Sequence, residues 1–270
     1  MDVARTLLIA ALIFVPLEHL LGVHERATFR TRRLVDLGCA LINGIVTAPV
    51  LKLALVVLVL GAQACTPAAL RDAVAGQPLW LQAPEAIALG DLGIYLAHRL
   101  FHRPTLWPFH AVHHSAETMD WLVAFRNHPV EWASFQAAAL LPLYALGYSS
   151  EVIGLYVLTF SAQSLLVHAN IRLPLGPLRH VVVGPDFHHW HHANQREAYD
   201  RNFAAQLALW DWLFGTLHLP ARRRPVAFGT DERLPRGLVG ALAYPFRRTG
   251  RVGDRPARPA HALRRALSGS

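Results

Sequence analysis

Histidine is concentrated in one part of this sequence. The chain contains 16 histidines, and 12 of them lie between His98 and His192. Imidazole carries protons near neutral pH and is a common ligand for iron, zinc, copper and nickel. A single histidine is more often a polar filler or an interfacial side chain than a ligand. The spacing within the group therefore decides which chemistry it can support.

Three short motifs account for most of these histidines. His98 and His102 are four residues apart, and two H-x-x-H-H triplets follow them. The triplets consist of His110, His113 and His114, and of His188, His191 and His192. Residues three and four positions apart share one face of a helix, so two imidazole nitrogens of one motif can reach the same metal ion. A zinc ion takes three or four protein ligands, so this number of histidines implies at least two metal ions.

Two acidic motifs of other metalloenzymes are absent from the sequence. It contains neither the H-E-x-x-H motif of zinc proteases nor the Glu-x-x-His pair of soluble di-iron bundles. An all-histidine site is therefore the working hypothesis. The alternative that stays open is a histidine-rich protein without redox activity, which binds two zinc ions or handles metals. The motifs lie among tryptophan, phenylalanine and proline rather than in a low-complexity tract, which favours a folded site.

The composition indicates that the chain with these histidine motifs is a membrane protein. Hydrophobic residues make up 53% of the chain and charged residues 16%, whereas roughly 25% are charged in an ordinary soluble domain. This composition argues against a soluble cytosolic enzyme. A disulfide-stapled secreted domain is also excluded, because Cys39 and Cys65 lie in or beside apolar runs. The net charge of +8 favours an anionic membrane surface over nucleic acid as the partner.

Five apolar runs predict an all-α, multi-pass membrane protein with four or five transmembrane helices. The runs cover residues 6–22, 37–64, 86–97, 133–147 and 152–167. The first is interpreted as a retained span rather than a signal peptide, because no small-residue cleavage site follows it. The second contains Pro49 and Lys52, so it is either one kinked span or a re-entrant pair. The last two are separated by four residues and predict a tight helical hairpin.

The placement of arginine predicts the orientation. Arginines follow the first, third and fifth runs, and positive residues flank the cytoplasmic ends of membrane helices. Residues 23–36, 98–132 and 168–270 are therefore expected in the cytoplasm. This arrangement makes the histidine-rich segments a helical cap on the inner face of a bacterial cell membrane, with a cytoplasmic C-terminus. Residues 220–270 are predicted to form a basic, largely disordered tail.

These motifs together resemble the fatty acid hydroxylase / sterol desaturase superfamily of membrane di-iron oxygenases. The resemblance is carried by His98-Arg-Leu-Phe-His102, His110-Ala-Val-His113-His114, Arg126-Asn127-His128-Pro129-Val130-Glu131 and Phe187-His188-His189-Trp190-His191-His192, and it is reinforced by Asp200-Arg201-Asn202-Phe203 and Trp210-Asp211-Trp212-Leu213-Phe214-Gly215-Thr216. It covers about residues 84–219. The chain is thus divided into N-terminal spans at 1–83, a di-iron domain at 84–219 and the tail at 220–270.

The resemblance implies that nine histidines bind two iron ions. They are His98, His102, His110, His113, His114, His168, His188, His191 and His192. The hydroxylase branch has a further histidine pair before the last triplet, where this chain offers only His168 and Asn170. His128, His189 and Asn170 are therefore candidates for a further ligand or for a residue that orients one. Asp91, at predicted membrane depth, is a candidate for orienting a histidine, for pairing with Arg99 or for plain helix packing.

The implied activity is O₂-dependent hydroxylation or desaturation of a lipid, fatty-acyl or sterol-like substrate. The resemblance implies two electrons per turnover from a separate electron-transfer protein, a ferredoxin or a cytochrome with its reductase. No catalytic residue is expected beyond the metal ligands. Glu131, three residues after His128, is interpreted as a helix N-terminal cap.

Overall fold

The computed structural model describes residues 3–24, 33–221 and 223–247. Within these ranges the regular elements are helices. The only β structure there consists of two isolated β-bridges, so the predicted all-α class is confirmed. The arginines at positions 26, 30 and 32, used above for orientation, lie outside the described residues, as does the predicted tail from residue 248.

The N-terminal part consists of two long helical segments. Helix α1 spans Val3–Leu21. Helix α2 spans Arg33–Ile42 and continues through a π-helical turn, Asn43–Thr47, into α3, Ala48–Cys65. The second segment is one continuous helix of 33 residues, about 50 Å long at 1.5 Å per residue. The apolar run at 37–64 is therefore a single helix and not a re-entrant pair.

The rest of the chain alternates long and short helices. The helices are α4 Ala68–Ala75, α5 Leu79–Phe101, α6 Trp107–His114, α7 Pro129–Ala145, α8 Ser150–His168, α9 Pro185–His191, α10 Leu209–Leu213 and α11 Leu238–Arg247. The predicted hairpin between α7 and α8 is confirmed. Its turn contains Gly147 at φ +83°, a left-handed conformation that favours glycine. Ser149 then caps α8, because its side chain accepts a hydrogen bond from Val152 N.

Among the described residues, three helical segments are long and apolar enough to cross a membrane: Val3–Leu21, Arg33–Cys65 and Ser150–His168. Their apolar side chains face outward to a large extent, with Leu12 at 67% and Leu53 at 72% exposure. Such surfaces are stable in lipid and not in water. Helix α7 has 17 residues, and α5 carries charged side chains. The count of four or five spans therefore stays a prediction.

Contacts between distant helix ends show that the long helices alternate in direction. Glu18, near the end of α1, accepts hydrogen bonds from the backbone N–H groups of Trp121 and Asn170. Asp36, at the start of α2, forms a buried ion pair with Arg126. These contacts gather the end of α1, the start of α2, the start of α7 and the end of α8 at one end of the molecule, which also holds the histidines.

The opposite end is closed by two further contacts. Gln63 Nε2 donates to Tyr144 O at 2.9 Å, and Ser149 N donates to Gln82 Oε1 at 3.1 Å. These bonds join the end of α3 and the start of α5 to the α7–α8 turn. All of the histidine motifs thus lie at the same end of the helices, as the charge pattern predicts.

Helix α11 lies in the segment that the sequence assigns to the tail, and the sequence analysis did not predict it. Its Ala241 is buried in a cluster with Val35, Cys39, Ala111 and Leu234. This packing joins α11 to α2 and α6. Residues 223–247 therefore belong to the folded part that surrounds the site.

Candidate metal centre

The structure brings the nine predicted histidines together in two groups. The five-histidine cluster consists of His98, His102, His110, His114 and His191, and the four-histidine cluster consists of His113, His168, His188 and His192. Within each group, one ring nitrogen per residue lies within 4.8 Å of the corresponding nitrogens of all the others. The motifs therefore converge as the sequence predicts, although they come from the ends of α5 and α8 and from the short helices α6 and α9.

Each H-x-x-H-H triplet contributes to both clusters. His110 and His114 point into the five-histidine cluster, while His113 points into the four-histidine cluster. The second triplet does the reverse, and only His191 joins the five-histidine cluster. Consecutive residues of a helix, such as His113 and His114, differ by about 100° in direction. Two histidines of each triplet therefore share one cluster, as the spacing predicts, and the third histidine links the triplet to the other cluster.

In the five-histidine cluster the converging atoms are Nε2 nitrogens. Nε2 of His110 lies 3.0 Å from Nε2 of both His98 and His114. Nε2 of His114 lies 2.9 Å from Nε2 of His191. The Nε2 atom of His102 is also buried, and a ring nitrogen of this residue lies in the same cluster. The cluster thus collects nitrogen atoms at one point without an obvious proton donor.

In the four-histidine cluster the Nε2 nitrogens converge as well. Nε2 of His168 lies 3.2 Å from Nε2 of His113 and 2.9 Å from Nε2 of His188. Nε2 of His192 lies 3.1 Å from that of His188. Two nitrogen lone pairs repel one another at these distances unless a proton or a cation lies between them. The arrangement is therefore that of a cation site.

Backbone carbonyls fix the orientation of four of these rings through the other nitrogen. The Nδ1 atoms of His98, His113, His168 and His191 lie 2.7, 3.2, 2.6 and 2.8 Å from the carbonyl oxygens of Phe203, Arg126, Ser164 and Arg201. A carbonyl oxygen only accepts hydrogen bonds, so Nδ1 carries the hydrogen and Nε2 keeps its lone pair. This tautomer presents Nε2 to a metal.

Two carboxylates orient histidine rings through Nδ1, as these carbonyls do. Oε1 of Glu131 lies 2.7 Å from Nδ1 of His110, and Oδ1 of Asp200 lies 3.1 Å from Nδ1 of His102. Glu131 is fully buried, whereas the side chain of Asp200 is 58% exposed. A carboxylate behind a histidine makes the imidazole a stronger metal ligand. We therefore assign Asp200 and Glu131 to the support of the clusters.

Glu131 lies in the first turn of α7 and interacts with the backbone N–H of His128, the N-cap residue, as a capping glutamate does, and it contacts His110 as well. The first turn of α7 is capped by His128, whose Nδ1 accepts a hydrogen bond from Val130 N at 3.1 Å. His128 Nε2 lies 3.2 Å from Leu242 O on α11. His128 therefore lies outside both clusters, and its ring joins two helices. No spacing rule connects Glu131 with His110, so only its place in the Arg126–Glu131 motif indicated a role.

Asn170 also lies outside the clusters. Its Oδ1 accepts hydrogen bonds from the backbone N–H groups of Val23 and His24, both at 3.0 Å, and its Nδ2 donates to His24 O. These bonds tie the segment after α8 to the segment after α1. The candidate ligand Asn170 is thus a structural clamp.

Asp91 orients a histidine only through a loop. Its carboxylate accepts hydrogen bonds from the N–H groups of Ala205, Gln206 and Leu207 at 2.8 to 3.0 Å. The same loop carries Phe203, whose carbonyl oxygen holds His98. Asp91 therefore fixes the loop rather than a metal, and it does not pair with Arg99.

His189 faces away from both clusters. Its ring lies 5.6 Å from the ring of His24, and it lines a separate cavity. It is nevertheless buried, with 4% exposure. The structure therefore groups nine of the thirteen candidate residues and places His128, His189, Asn170 and Asp91 around them.

Burial keeps the histidines of α6 and α9 neutral. Removal from water, reinforced by neighbouring histidines, holds the pKa well below its usual range for His110, His113, His114, His188, His191 and His192. Only a neutral imidazole has a lone pair for a metal. The site is thus set for metal binding at neutral pH.

Two cavities reach the clusters from different directions. The first, which we call the helix cavity, has a volume of about 110 Å³ and is lined by members of both clusters together with Trp132, Phe135, Phe160 and other side chains of α5, α7 and α8. The second, the acidic cavity, has a volume of about 60 Å³ and reaches only the five-histidine cluster, beside Asp200, Asp231 and Glu232. The site is therefore open to an apolar side and to a polar side.

The part of the chain that holds the two clusters matches a known protein family. The profile of the fatty acid hydroxylase family matches residues 84–216, a range that contains all nine histidines. The ornithine lipid hydroxylase OlsE of Rhizobium tropici is 32% identical over 183 residues, which cover 66% of this chain and 55% of that protein. Alkylglycerol monooxygenase of Homo sapiens is 28% identical over 147 residues, covering 52% of this chain and 31% of that protein.

A third relative, alkylglycerol monooxygenase of Danio rerio, is 30% identical over 131 residues, covering 47% of this chain and 28% of that protein. The chain thus spans about half the length of the first of these relatives and about a third or less of the other two. No solved structure matches the chain. The matched profile and the curated relatives show that the chain belongs to the fatty acid hydroxylase / sterol desaturase superfamily.

Proposed function

We propose that this protein is a membrane-bound di-iron oxygenase that hydroxylates a lipid with O₂. The observation that carries the proposal is the pair of adjacent all-histidine clusters, both of which line one apolar cavity between long helices. The relatives are named as a hydroxylase of ornithine lipid and as monooxygenases of alkylglycerol. These names favour hydroxylation over desaturation and a lipid over a soluble substrate.

Each cluster would hold one iron ion, through the Nε2 atoms of its histidines. Five and four neutral imidazoles suit a borderline metal such as Fe²⁺, and the tautomers fixed at Nδ1 leave the lone pairs free for it. The reduced irons would supply the activation of O₂. The residues of the chain supply the ligand positions, through the carbonyls and carboxylates behind the rings, and they exclude water by burying the site.

The helix cavity is the proposed binding place for the reacting part of the lipid. Its lining includes Ile94, Phe135 and Phe160 beside His98 and His168. An apolar lining suits a hydrocarbon chain, and a cavity between membrane helices receives that chain directly from the bilayer. A hydroxylation by this route inserts one oxygen atom of O₂ into a C–H bond and reduces the other to water.

This reaction consumes two electrons and two protons per turnover. A separate donor must supply the electrons. We assign that task to a ferredoxin or cytochrome with its reductase. The acidic cavity gives the five-histidine cluster a polar approach through His102, Asp200 and Glu232. With this end of the helices in the cytoplasm of a bacterial cell, as the arginine pattern predicts, the donor meets the site from the cytoplasm.

The test is to produce the full chain in a bacterial host and to compare membrane lipids by mass spectrometry. We expect lipids that have gained one oxygen atom, derived from ¹⁸O₂, and about two irons per purified chain. The His191→Ala variant serves as the matched control and should give neither. A protein that holds stoichiometric zinc, forms no oxygenated lipid and does not respond to iron supply would instead support the metal-handling alternative.

A further inference from the structure

A third cavity, of about 460 Å³, lies outside the metal centre. Its walls come from the segment after α1, the segment after α8, helix α9 and residues 223–225. We call it the arginine cavity, because Arg172, Arg179, Arg223 and Arg224 all line it. We propose that it binds the phosphate group of a membrane lipid headgroup. The proposal is independent of the oxygenase reaction and requires only that the chain lies in a membrane.

The charges in this cavity are unbalanced. Asp186 also lines it and pairs with Arg179 at 3.2 Å, and Arg223 pairs with Glu197 at 3.0 Å. Arg172 and Arg224 form no salt bridge with any described residue. A general bias toward arginine at cytoplasmic helix ends would scatter these side chains over the surface. Here two separate chain segments bring them to one concave site, which is the arrangement that an anion requires.

Two buried nitrogen atoms at the cavity have no hydrogen-bond partner among the described residues. His189 is 4% exposed, and its Nε2 forms no hydrogen bond with a described residue. The buried Nε of Arg179 likewise has no partner in the described ranges. Buried polar atoms in stable proteins nearly always have a hydrogen-bond partner. A phosphate group, with the hydroxyls of a glycerol headgroup, offers acceptors for Arg179 and a donor for His189.

The position of the cavity favours a lipid over a free phosphate ion. Arg172 N donates to Leu21 O at 3.0 Å, so the cavity lies where α1 and α8, both long enough to span the membrane, come to an end. Lipid headgroups lie at that depth. On the segment between α8 and α9, Leu173, Leu178 and Val181 are 37%, 59% and 53% exposed. These side chains suit the boundary between headgroups and acyl chains better than they suit water.

The test uses the full chain purified in a non-ionic detergent. Native mass spectrometry would count bound phosphatidylglycerol, phosphatidylcholine and inorganic phosphate, each added alone and in competition. We expect one phosphatidylglycerol to be retained with roughly tenfold or greater preference over phosphatidylcholine. The double variant Arg172→Gln/Arg224→Gln should lower that affinity by about tenfold or more, since each arginine adds to the attraction of an anionic headgroup.

The matched control is Arg233→Gln/Arg236→Gln, which removes the same charge from two exposed arginines outside the cavity. It should bind phosphatidylglycerol like the parent. An equal loss in both double variants would overturn the proposal in favour of general surface charge. Equal binding of phosphatidylcholine would overturn it as well. Inorganic phosphate that binds with the same arginine dependence and displaces the lipid would show that the ligand is a soluble phosphate.

Thermal unfolding gives a second readout that does not depend on retention in the gas phase. Phosphatidylglycerol should raise the unfolding midpoint of the parent and of the control variant, and not that of Arg172→Gln/Arg224→Gln. The lipid-free midpoints of the three proteins show whether each is folded. If the double variant fails to fold, Arg224→Gln alone replaces it, because Arg224 is exposed. A lipid-induced rise that persists in this single variant at full size would contradict the proposal.

Discussion

The Nδ1 atom of His110 lies 2.7 Å from Oε1 of Glu131, and both side chains are buried. Oε2 of Glu131 has no hydrogen-bond partner in the described part of the chain, and the residue lines the helix cavity. The carboxylate therefore contacts a proposed iron ligand on one side and the proposed substrate space on the other. This position makes Glu131 the acidic residue with the most direct influence on the five-histidine cluster.

We expect Glu131→Ala to lower iron affinity by roughly 10- to 100-fold, the usual effect of removing a group that holds a ligand histidine. Glu131→Gln should recover much of the affinity, because its amide oxygen can still accept from His110 Nδ1. Competition with a chelator measures the affinity. The comparison variant Asp200→Asn acts on an exposed carboxylate behind His102 and should have a smaller effect. Equal iron affinity in Glu131→Ala and the parent would refute this role.

Substitutions of the neighbours His113 and His114 should affect different irons, because the two side chains point into different clusters. We expect each single alanine variant to retain about one iron per chain and the double variant to retain almost none. Iron analysis with Mössbauer spectroscopy would show which of the two sites is emptied. If both single variants lost the same iron signal, the division into two clusters would be wrong.

Asn170→Ala should weaken the fold more than the metal site. The change removes the three hydrogen bonds from the Asn170 side chain to the backbone of Val23 and His24, at a cost of roughly 1–3 kcal/mol for the partly buried groups left without partners. Thermal unfolding of the iron-free protein measures the loss. Asn170→Asp keeps the acceptor oxygen and should lose less. A loss of iron at unchanged stability would identify Asn170 as a ligand instead.

The iron-free protein should lose stability in mild acid. Burial lowers the pKa of His113, His188 and His192 well below the value of about 6.5 expected in an unfolded chain. Their contribution to stability is fully present above that value. It is lost as the pH falls toward the folded-state pKa, because the unfolded chain then binds protons that the folded chain rejects. Unfolding midpoints between pH 8 and pH 5 test this direction, and a midpoint that rises toward pH 5 would contradict it.

Reporter fusions should place the two ends of the helices on opposite sides of the membrane. A fusion after Glu117, which follows α6, should report the cytoplasm, and one after Gly76, which follows α4, should report the outside. The contacts that gather the histidine motifs at one end and the α7–α8 turn at the other require opposite results. Identical signals at the two positions would contradict this topology.

The sequence by itself predicted much of the local structure. A tight turn joins α7 to α8, and the nine histidines converge. Turns and helical periodicity act over a few residues, so they can be read directly from the residue order. The histidine spacing predicted a metal site for the same reason.

Only the tertiary structure showed how the histidines divide between the two clusters and which residues orient their rings. His98 is held by a carbonyl at Phe203, and that loop is held in turn by Asp91 on the helix of His98 itself. Glu131 reaches His110 from another helix. These contacts join residues 21 to 114 positions apart. Spacing rules reach only about one helical turn, so the packing of whole helices determined which side chains would meet.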